Sequence, residues 1–329
     1  MPADSAQHDP ADLSVILAEV VRSDRVESIH RGHAVIIDAD GSVHESWGAP
    51  WSPTYPRSSI KPLQAAGMVA AGLDLPPELT ALTAASHSGE PFHLDGVRRI
   101  LGAHGLDESA LQTPPDLPYD PLEREAMLRA GEGPSSLAMN CSGKHAGMLA
   151  TCVVNGWSIA TYREPDHPLQ VGLLASMAEF MGEPIAGVGV DGCGAPLVAV
   201  SLVGLARGVS ACVQGSGSGH MGSAGARVAR AMSAHPEMVG GTRRDVTALM
   251  RGVPGAVAKD GAEGVHVVAL SDGRAAALKI EDGADRARPV IMAALLERMG
   301  VKAPVVREQV RTAVLGGGRP VGEIRPALG

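Results

Sequence analysis

The two ends of the chain are written in one pattern and its middle in another, which restricts the fold more than any other feature. From Ser14 to Trp47 apolar and β-branched residues alternate: Ser14-Val15-Ile16-Leu17-Ala18-Glu19-Val20-Val21, then His33-Ala34-Val35-Ile36-Ile37, closed by the turn Asp38-Ala39-Asp40-Gly41. After Gly252 strand-like segments return: Val265-His266-Val267-Val268-Ala269-Leu270, the tight turn Ser271-Asp272-Gly273-Arg274, and Ala275-Ala276-Ala277-Leu278-Lys279-Ile280. Between them, helical spacing predicts helices near 59–71, 92–104, 121–130, 143–154, 168–181, 195–207 and 219–234. A last amphipathic helix is expected at 286–299 and a strand-like tail at 305–314. Strands at both ends with helices between imply an α/β (α+β) fold, one antiparallel sheet formed from both chain ends and a helical lobe over about 59–250. Neither a repeat nor a linker divides the chain, so residues 14–329 should form a single two-lobed domain behind a flexible tail at 1–13.

With 329 residues, 45% of them hydrophobic and 19% charged, the chain can bury a large core. Aromatic residues are scarce, with three Trp, three Tyr and two Phe, so packing must rest on aliphatic side chains and base-stacking platforms are not expected. A formal net charge of −8 argues against nucleic acid or an anionic membrane surface as a partner. Residues 1–12 carry no apolar core of signal-peptide length, and no run approaches the ~18 apolar residues of a membrane span. A cytoplasmic protein is therefore expected. The string Gly215-Ser216-Gly217-Ser218-Gly219 lacks the ending of a phosphate-binding loop and reads as a loop before a helix, and Gly316-Gly317-Gly318 reads as a turn.

Chemistry concentrates in four stretches. Arg57-Ser58-Ser59-Ile60-Lys61-Pro62-Leu63-Gln64 places a hydroxyl and an amine three residues apart, and Pro62 fits only a first helical turn, so the helix should begin near Ser58 or Ser59. At that spacing side chains stand about 5–6 Å apart on one face. Ser58 could then be activated by Lys61, if burial or a second cation strips the amine of its proton. The bland alternative is an ordinary helix cap with a solvated lysine. Ala84-Ala85-Ser86-His87-Ser88-Gly89-Glu90-Pro91 crowds two hydroxyls, an imidazole and a carboxylate into five positions, and reads equally as a turn leading into a helix.

The third stretch, Met139-Asn140-Cys141-Ser142-Gly143-Lys144-His145-Ala146-Gly147-Met148, enters a helix, and the fourth, Gly189-Val190-Asp191-Gly192-Cys193-Gly194-Ala195-Pro196, is a loop. Cys141 and Cys193 sit in these glycine-flanked loops, where thiolates can hold a soft divalent metal such as zinc. Cys152 and Cys212 fall within apolar helical patterns and read as inert core. The four cysteines lack the spacing of a disulfide framework.

Taken together and in this order, these four stretches resemble the rhizobial-type, thermolabile L-asparaginases of the asparaginase II family, over about residues 14–315. Cys-Ser-Gly-Lys-His and Asp-Gly-Cys-Gly-Ala-Pro are the most specific motifs. The resemblance implies hydrolysis of L-asparagine to L-aspartate and ammonia by a homodimer whose fold is similar to serine β-lactamases and penicillin-binding proteins. It also implies two serine–lysine pairs, Ser58 with Lys61 and Ser86 with Lys259, and a zinc site of Cys141, Lys144, Cys193 and a water.

Those residue types suit amide hydrolysis, which needs a nucleophile, a proton carrier and donors for the oxyanion. Spacing does not say which serine attacks; the helix position favours Ser58, with Ser86 and Lys259 as relay. Lys144 can ligate only as a neutral amine, which an adjacent metal would favour. With nucleophile and bases already present, zinc is expected in a supporting role. The charged ends of asparagine need a carboxylate and a cation, for which Arg57, Asp191, His145 and Glu90 are candidates. A penicillin-recognising serine hydrolase shares the S-x-x-K spacing, but the S-D-N and K-T-G elements of that class are absent. A non-enzymatic zinc- or small-molecule-binding protein would have no need of paired bases.

Overall fold

The alternating segment that opens the chain forms β1 (Val15–Arg22), which turns back through Ser23 and Asp24 into the thirteen-residue β2 (Arg25–Ile37). Both turn residues have positive φ, 47° and 63°, as a two-residue hairpin with right-handed strand twist requires. The structure, a computed structural model, describes residues 13–329, so the expected tail lies, apart from Leu13, outside the described residues. β2 begins well before the His33–Ile37 segment that the pattern picked out. Its first half is largely exposed and polar, so alternation gave no signal there. The turn at 38–41 leads into β3 (Val43–Trp47), which pairs with β2.

The helical middle follows as α1 (Lys61–Ala70), α2 (Pro77–Thr83), α3 (Pro91–Ala103), α4 (Pro121–Arg129), α5 (Ser142–Asn155) and α6 (Pro168–Met181). The helix expected at 195–207 is instead a strand and a later helix. A short hairpin, β4 (Gly187–Val190) with β5 (Pro196–Ala199), precedes α7 (Leu202–Gln214). Ser201 caps α7, its hydroxyl accepting the Gly204 N–H at 2.8 Å, which fixes the helix start several residues downstream of Pro196. The glycine–serine string is the loop between α7 and α8 (His220–Ala234), and the short α9 (Pro236–Val239) and α10 (Asp245–Gly252) complete the middle.

Three strands return as β6 (Val257–Gly261), β7 (Val265–Ala269) and β8 (Ala275–Ile280), followed by α11 (Arg288–Arg298). The tail expected as strand at 305–314 divides into α12 (Pro304–Gln309) and β9 (Thr312–Gly316), and the glycine run turns the chain into β10 (Arg319–Pro326). β10 escaped sequence reading because its two prolines and a glycine argue against a strand.

The sheet runs β6-β7-β8-β2-β1-β10-β9, with β3 also on β2 and every pairing antiparallel. The fold is thus α+β, with a sheet drawn from both chain ends. β6, β7 and most of β8 are buried at successive positions, which requires cover on both faces, and α7 and α11 both pack on β7 and β8. α1 is buried through most of its length against α5, α6, α7 and α8. With few aromatic residues, close helix contacts fall on glycines: a Cβ at Gly143 would stand 2.5 Å from the Leu82 carbonyl oxygen, so only glycine lets the start of α5 seat against α2. Among the described residues, no helix is long and apolar enough to cross a membrane.

Candidate active site

The Arg57–Ile60 segment is a single 3₁₀ turn running directly into α1, so the α-helix begins at Lys61 with Pro62 in its first turn. Arg57 has φ of 50°, a conformation costly for a residue with a Cβ. It is held there by Asp191, whose Oδ1 accepts from Arg57 Nε at 2.8 Å. Lys61 is buried, and its Nζ donates to Ala85 O at 2.6 Å, Ser86 Oγ at 3.0 Å and Cys141 Sγ at 3.0 Å. Three acceptors thus surround one amine.

The expected pair of Ser58 with Lys61 is therefore not a hydrogen bond here, because the lysine reaches inward to Ser86. Ser58 is half-buried, and among the described residues its hydroxyl has no hydrogen-bond partner. Ser59, which sequence reading passed over, is buried and donates to Lys259 O at 3.2 Å, tying the 3₁₀ turn to β6.

In the loop at 84–90 most polar groups serve the scaffold. Gly89 N–H donates to His87 Nδ1 at 3.2 Å, so the ring hydrogen sits on Nε2 and is given to Ser142 Oγ at 2.8 Å. Burial, then the charges of His93 and Lys61, push the His87 pKa well down, and it is a neutral strut. Ser88 donates to Gly240 O at 2.7 Å. Both Glu90 oxygens are taken by Thr242, from its N–H at 2.7 Å and its hydroxyl at 2.8 Å, and Glu90 also caps α3. Glu90, expected among the substrate-binding groups, is thus committed to the scaffold.

Lys259, on β6, is buried and bonds not to Ser86 but to Asp260, at 2.7 Å to the main-chain oxygen and 2.8 Å to Oδ1. Burial, opposed by Asp260 and helped by Lys61, lowers its pKa to about 8. Asp260 and its second partner, Arg244, carry no local sequence signal, since each is recognisable only from what it touches across the fold.

Cys141 stands immediately before α5, Lys144 lies in its first turn, and Cys193 lies in the turn between β4 and β5. All three are buried, with Lys144 Nζ 3.2 Å from Cys193 Sγ. A hydrogen bond from Cys193, then the charges of Lys61 and Lys144 against burial, hold the Cys141 thiol well below its usual pKa; the same bond, reinforced by burial, raises Cys193. Burial works against the Lys144 ammonium, but Cys193, Cys141 and Asp191 outweigh it and raise its pKa. Burial lowers His145 to about 4; its Nδ1 meets Tyr162 Oη at 2.7 Å, and its Nε2 is buried with no hydrogen-bond partner among the described residues. Asp191 is opposed by burial yet held below the usual carboxylate range by Lys144 and Arg57.

Lys61 makes one site of these parts, since it touches both Ser86 and Cys141. A cavity of about 410 Å³ has Arg57 in its wall, together with Thr54, Tyr55, Glu263 and Lys279 among others. A larger groove of about 590 Å³, between the 38–42 turn and α6–α7, contains none of these residues and offers no lysine or cysteine. A family model described as L-asparaginase II matches residues 18–326. The chain belongs to the L-asparaginase II family. No curated protein matches it. Family membership makes the chain an amidohydrolase that acts on L-asparagine, and an L-asparaginase II built this way gathers Ser86, three lysines and two thiols as buried groups, with Ser58 half-buried three residues before Lys61.

Proposed function

We propose that the chain hydrolyses L-asparagine to L-aspartate and ammonia through an acyl-enzyme on Ser58, with Lys61, Ser86 and Lys259 carrying protons. The observation that carries this reading is the 3.0 Å contact of Lys61 Nζ with Ser86 Oγ, which makes one buried amine the link between the serine three residues before it and the serine it bonds. Ser58 Oγ attacks the carboxamide carbon, and its proton passes into the Lys61–Ser86 contact. Collapse of the tetrahedral adduct breaks the C–N bond, and the proton leaves with the nitrogen as ammonia. Water then cleaves the ester and returns a proton to Ser58. Arg57, in the cavity wall, and Asp191, paired with it and partly exposed, receive the α-carboxylate and α-ammonium of the substrate.

The Lys61–Ser86 contact also favours a second assignment, in which Ser86 attacks and Ser58 relays. Ammonia release from L-asparagine tests the activity, and its absence from purified protein would reject it. Peptide mapping after trapping with an aspartate analogue bearing a β-carbonyl electrophile separates the serines. Label on the Ser58 peptide is expected, and label on the Ser86 peptide reverses the roles.

A proton carrier must accept as well as give, and Lys259 is the lysine of this cluster with a pKa lowered to about 8. Below that pH it is an ammonium and accepts nothing; above it the free amine is present. kcat/KM is therefore expected to rise with pH through a midpoint near 8. A profile flat from pH 6.5 to 9 would remove Lys259 from the relay.

The donors at Cys141, Lys144 and Cys193 fit zinc: two sulfurs and an amine, soft to borderline ligands, with His145 Nε2, unpartnered among the described residues, as a buried polar group to meet a fourth, water ligand. Among the described residues no three His, Cys, Asp or Glu side chains are placed to hold a metal ion by themselves, and the third donor here is a lysine. When bound, zinc would neutralise the thiolates and fix the start of α5 against the β4–β5 turn. An S-x-x-K turn beside a sheet drawn from both termini also supports kinship with the serine β-lactamase fold. A homodimer, measurable by light scattering, and a reducing cytoplasmic setting for four free cysteines complete the proposal.

A further inference from the structure

Asp260 is buried at the end of β6 with both carboxylate oxygens occupied. Oδ1 accepts from Lys259 Nζ at 2.8 Å, and Oδ2 accepts from Arg244 Nη2. Arg244 reaches further: its Nη1 lies 3.5 Å from Ser86 O, and its guanidinium rests 4.4 Å from the centroid of the Tyr119 ring. One mostly buried side chain thus meets the strand that carries Lys259, the loop that carries Ser86 and the segment before α4. Neighbouring residues on a strand ordinarily point to opposite faces, yet Lys259 curls back onto Asp260. Without a competitor, the carboxylate could offer that ammonium both oxygens.

We propose that Arg244 is a positioning residue for the hydrolysis: by occupying one oxygen of Asp260 and bordering the Ser86 carbonyl, it limits the hold of Asp260 on Lys259 and keeps β6 in register with the Ser86 loop. This rests on the reading of Lys259 as proton carrier and deepens it. The groups facing Lys259 are Asp260 on its own strand, Lys61 from α1 and Arg244 from the segment before α10. Behind Asp260 lie Arg288, paired with Asp245 at 2.9 Å, and His266 across the β6–β7 register, which burial keeps neutral with a pKa of about 3. Asp260 favours the proton on Lys259, while Lys61 and Arg244 oppose it.

The sign of each substitution follows. Arg244→Gln removes a cation and frees Asp260, so the rising limb of kcat/KM should move up by on the order of one pH unit. Asp260→Asn removes the anion and should move it down. Arg244→Lys keeps the charge and should leave the limb near its wild-type position. A merely structural arginine would lower melting temperature and rate at every pH alike with the limb unmoved, and that result overturns the proposal. If a single variant fails to fold because a buried charge is left unpaired, Arg244→Gln/Asp260→Asn leaves neither charge. Its limb should fall below wild type, because Asp260 acts on Lys259 more strongly than Arg244 does; an unmoved limb overturns the proposal again. Lys259→Gln distinguishes the two levels. If its residual activity keeps the limb, the carrier reading fails and takes this proposal with it. If the limb disappears but Arg244→Gln leaves it in place, only the role of Arg244 fails.

Discussion

Replacing Lys61 with methionine is expected to lower kcat/KM for L-asparagine by at least about a hundredfold, because the substitution keeps the shape of the side chain and deletes the amine that bonds Ser86 and is proposed to link it to Ser58. Three acceptors lose their donor at once: Ala85 O, Ser86 Oγ and Cys141 Sγ. Leaving a buried acceptor unpaired costs about 1–3 kcal/mol, so the melting temperature should fall as well, and the rate must be compared under conditions where circular dichroism shows a folded chain. Destabilisation alone would not alter the pH dependence. Lys61 also opposes the charge on Lys259, so in the variant the residual rate should rise with pH through a midpoint above 8. Turnover within a few fold of wild type would remove Lys61 from the chemistry and, with it, the link between Ser58 and Ser86. Ser58→Ala, Ser86→Ala and Lys259→Ala should each cost on the order of a hundredfold too, since groups that act as a unit fail singly.

How far the site could be read beforehand depends on what each residue's signal reports. Pro62 and the S-x-x-K spacing mark the start of α1, because both are local facts about a first turn. The partner of Lys61 was not legible, since spacing reports neighbours along a helix, and the side chain runs inward to a loop twenty-five residues away. Glu90 shows the same limit from the other side: a carboxylate in a reactive-looking loop is satisfied by Thr242, from a distant connection. Arg244 gave no signal, because an arginine without a motif is recognised only by the buried carboxylate it meets. In the fold, alternation located β1, and short apolar runs on either side of the Ser271–Arg274 turn located β7 and β8. It failed at β10, which pairs with β1 despite Pro320 and Pro326, and at Pro196–Ala199, where an apolar run of strand length imitates helix spacing.

Loss of the third proposed element, zinc, should leave a different signature from loss of Lys61. Purified protein is expected to hold about one zinc per chain, and Cys193→Ser to hold far less, because a serine hydroxyl is a poor substitute for a soft thiolate. Cys193 lies in the turn that also carries Asp191, and Asp191 holds Arg57 in its left-handed conformation. Release of that turn should therefore disturb the groups proposed to bind the charged ends of asparagine more than it disturbs Ser58, Lys61 and Lys259. The metal-free cluster has its own electrostatic balance, with Lys144 charged beside the depressed Cys141 thiol, so the fold need not be lost. The expected result is a KM raised about tenfold or more with a smaller change in kcat, together with a lower melting temperature that added zinc restores in wild type but not in Cys193→Ser. Elemental analysis, thermal unfolding and substrate saturation measure the three effects independently. A zinc-free protein with wild-type KM and kcat would reject both the metal site and its part in holding substrate.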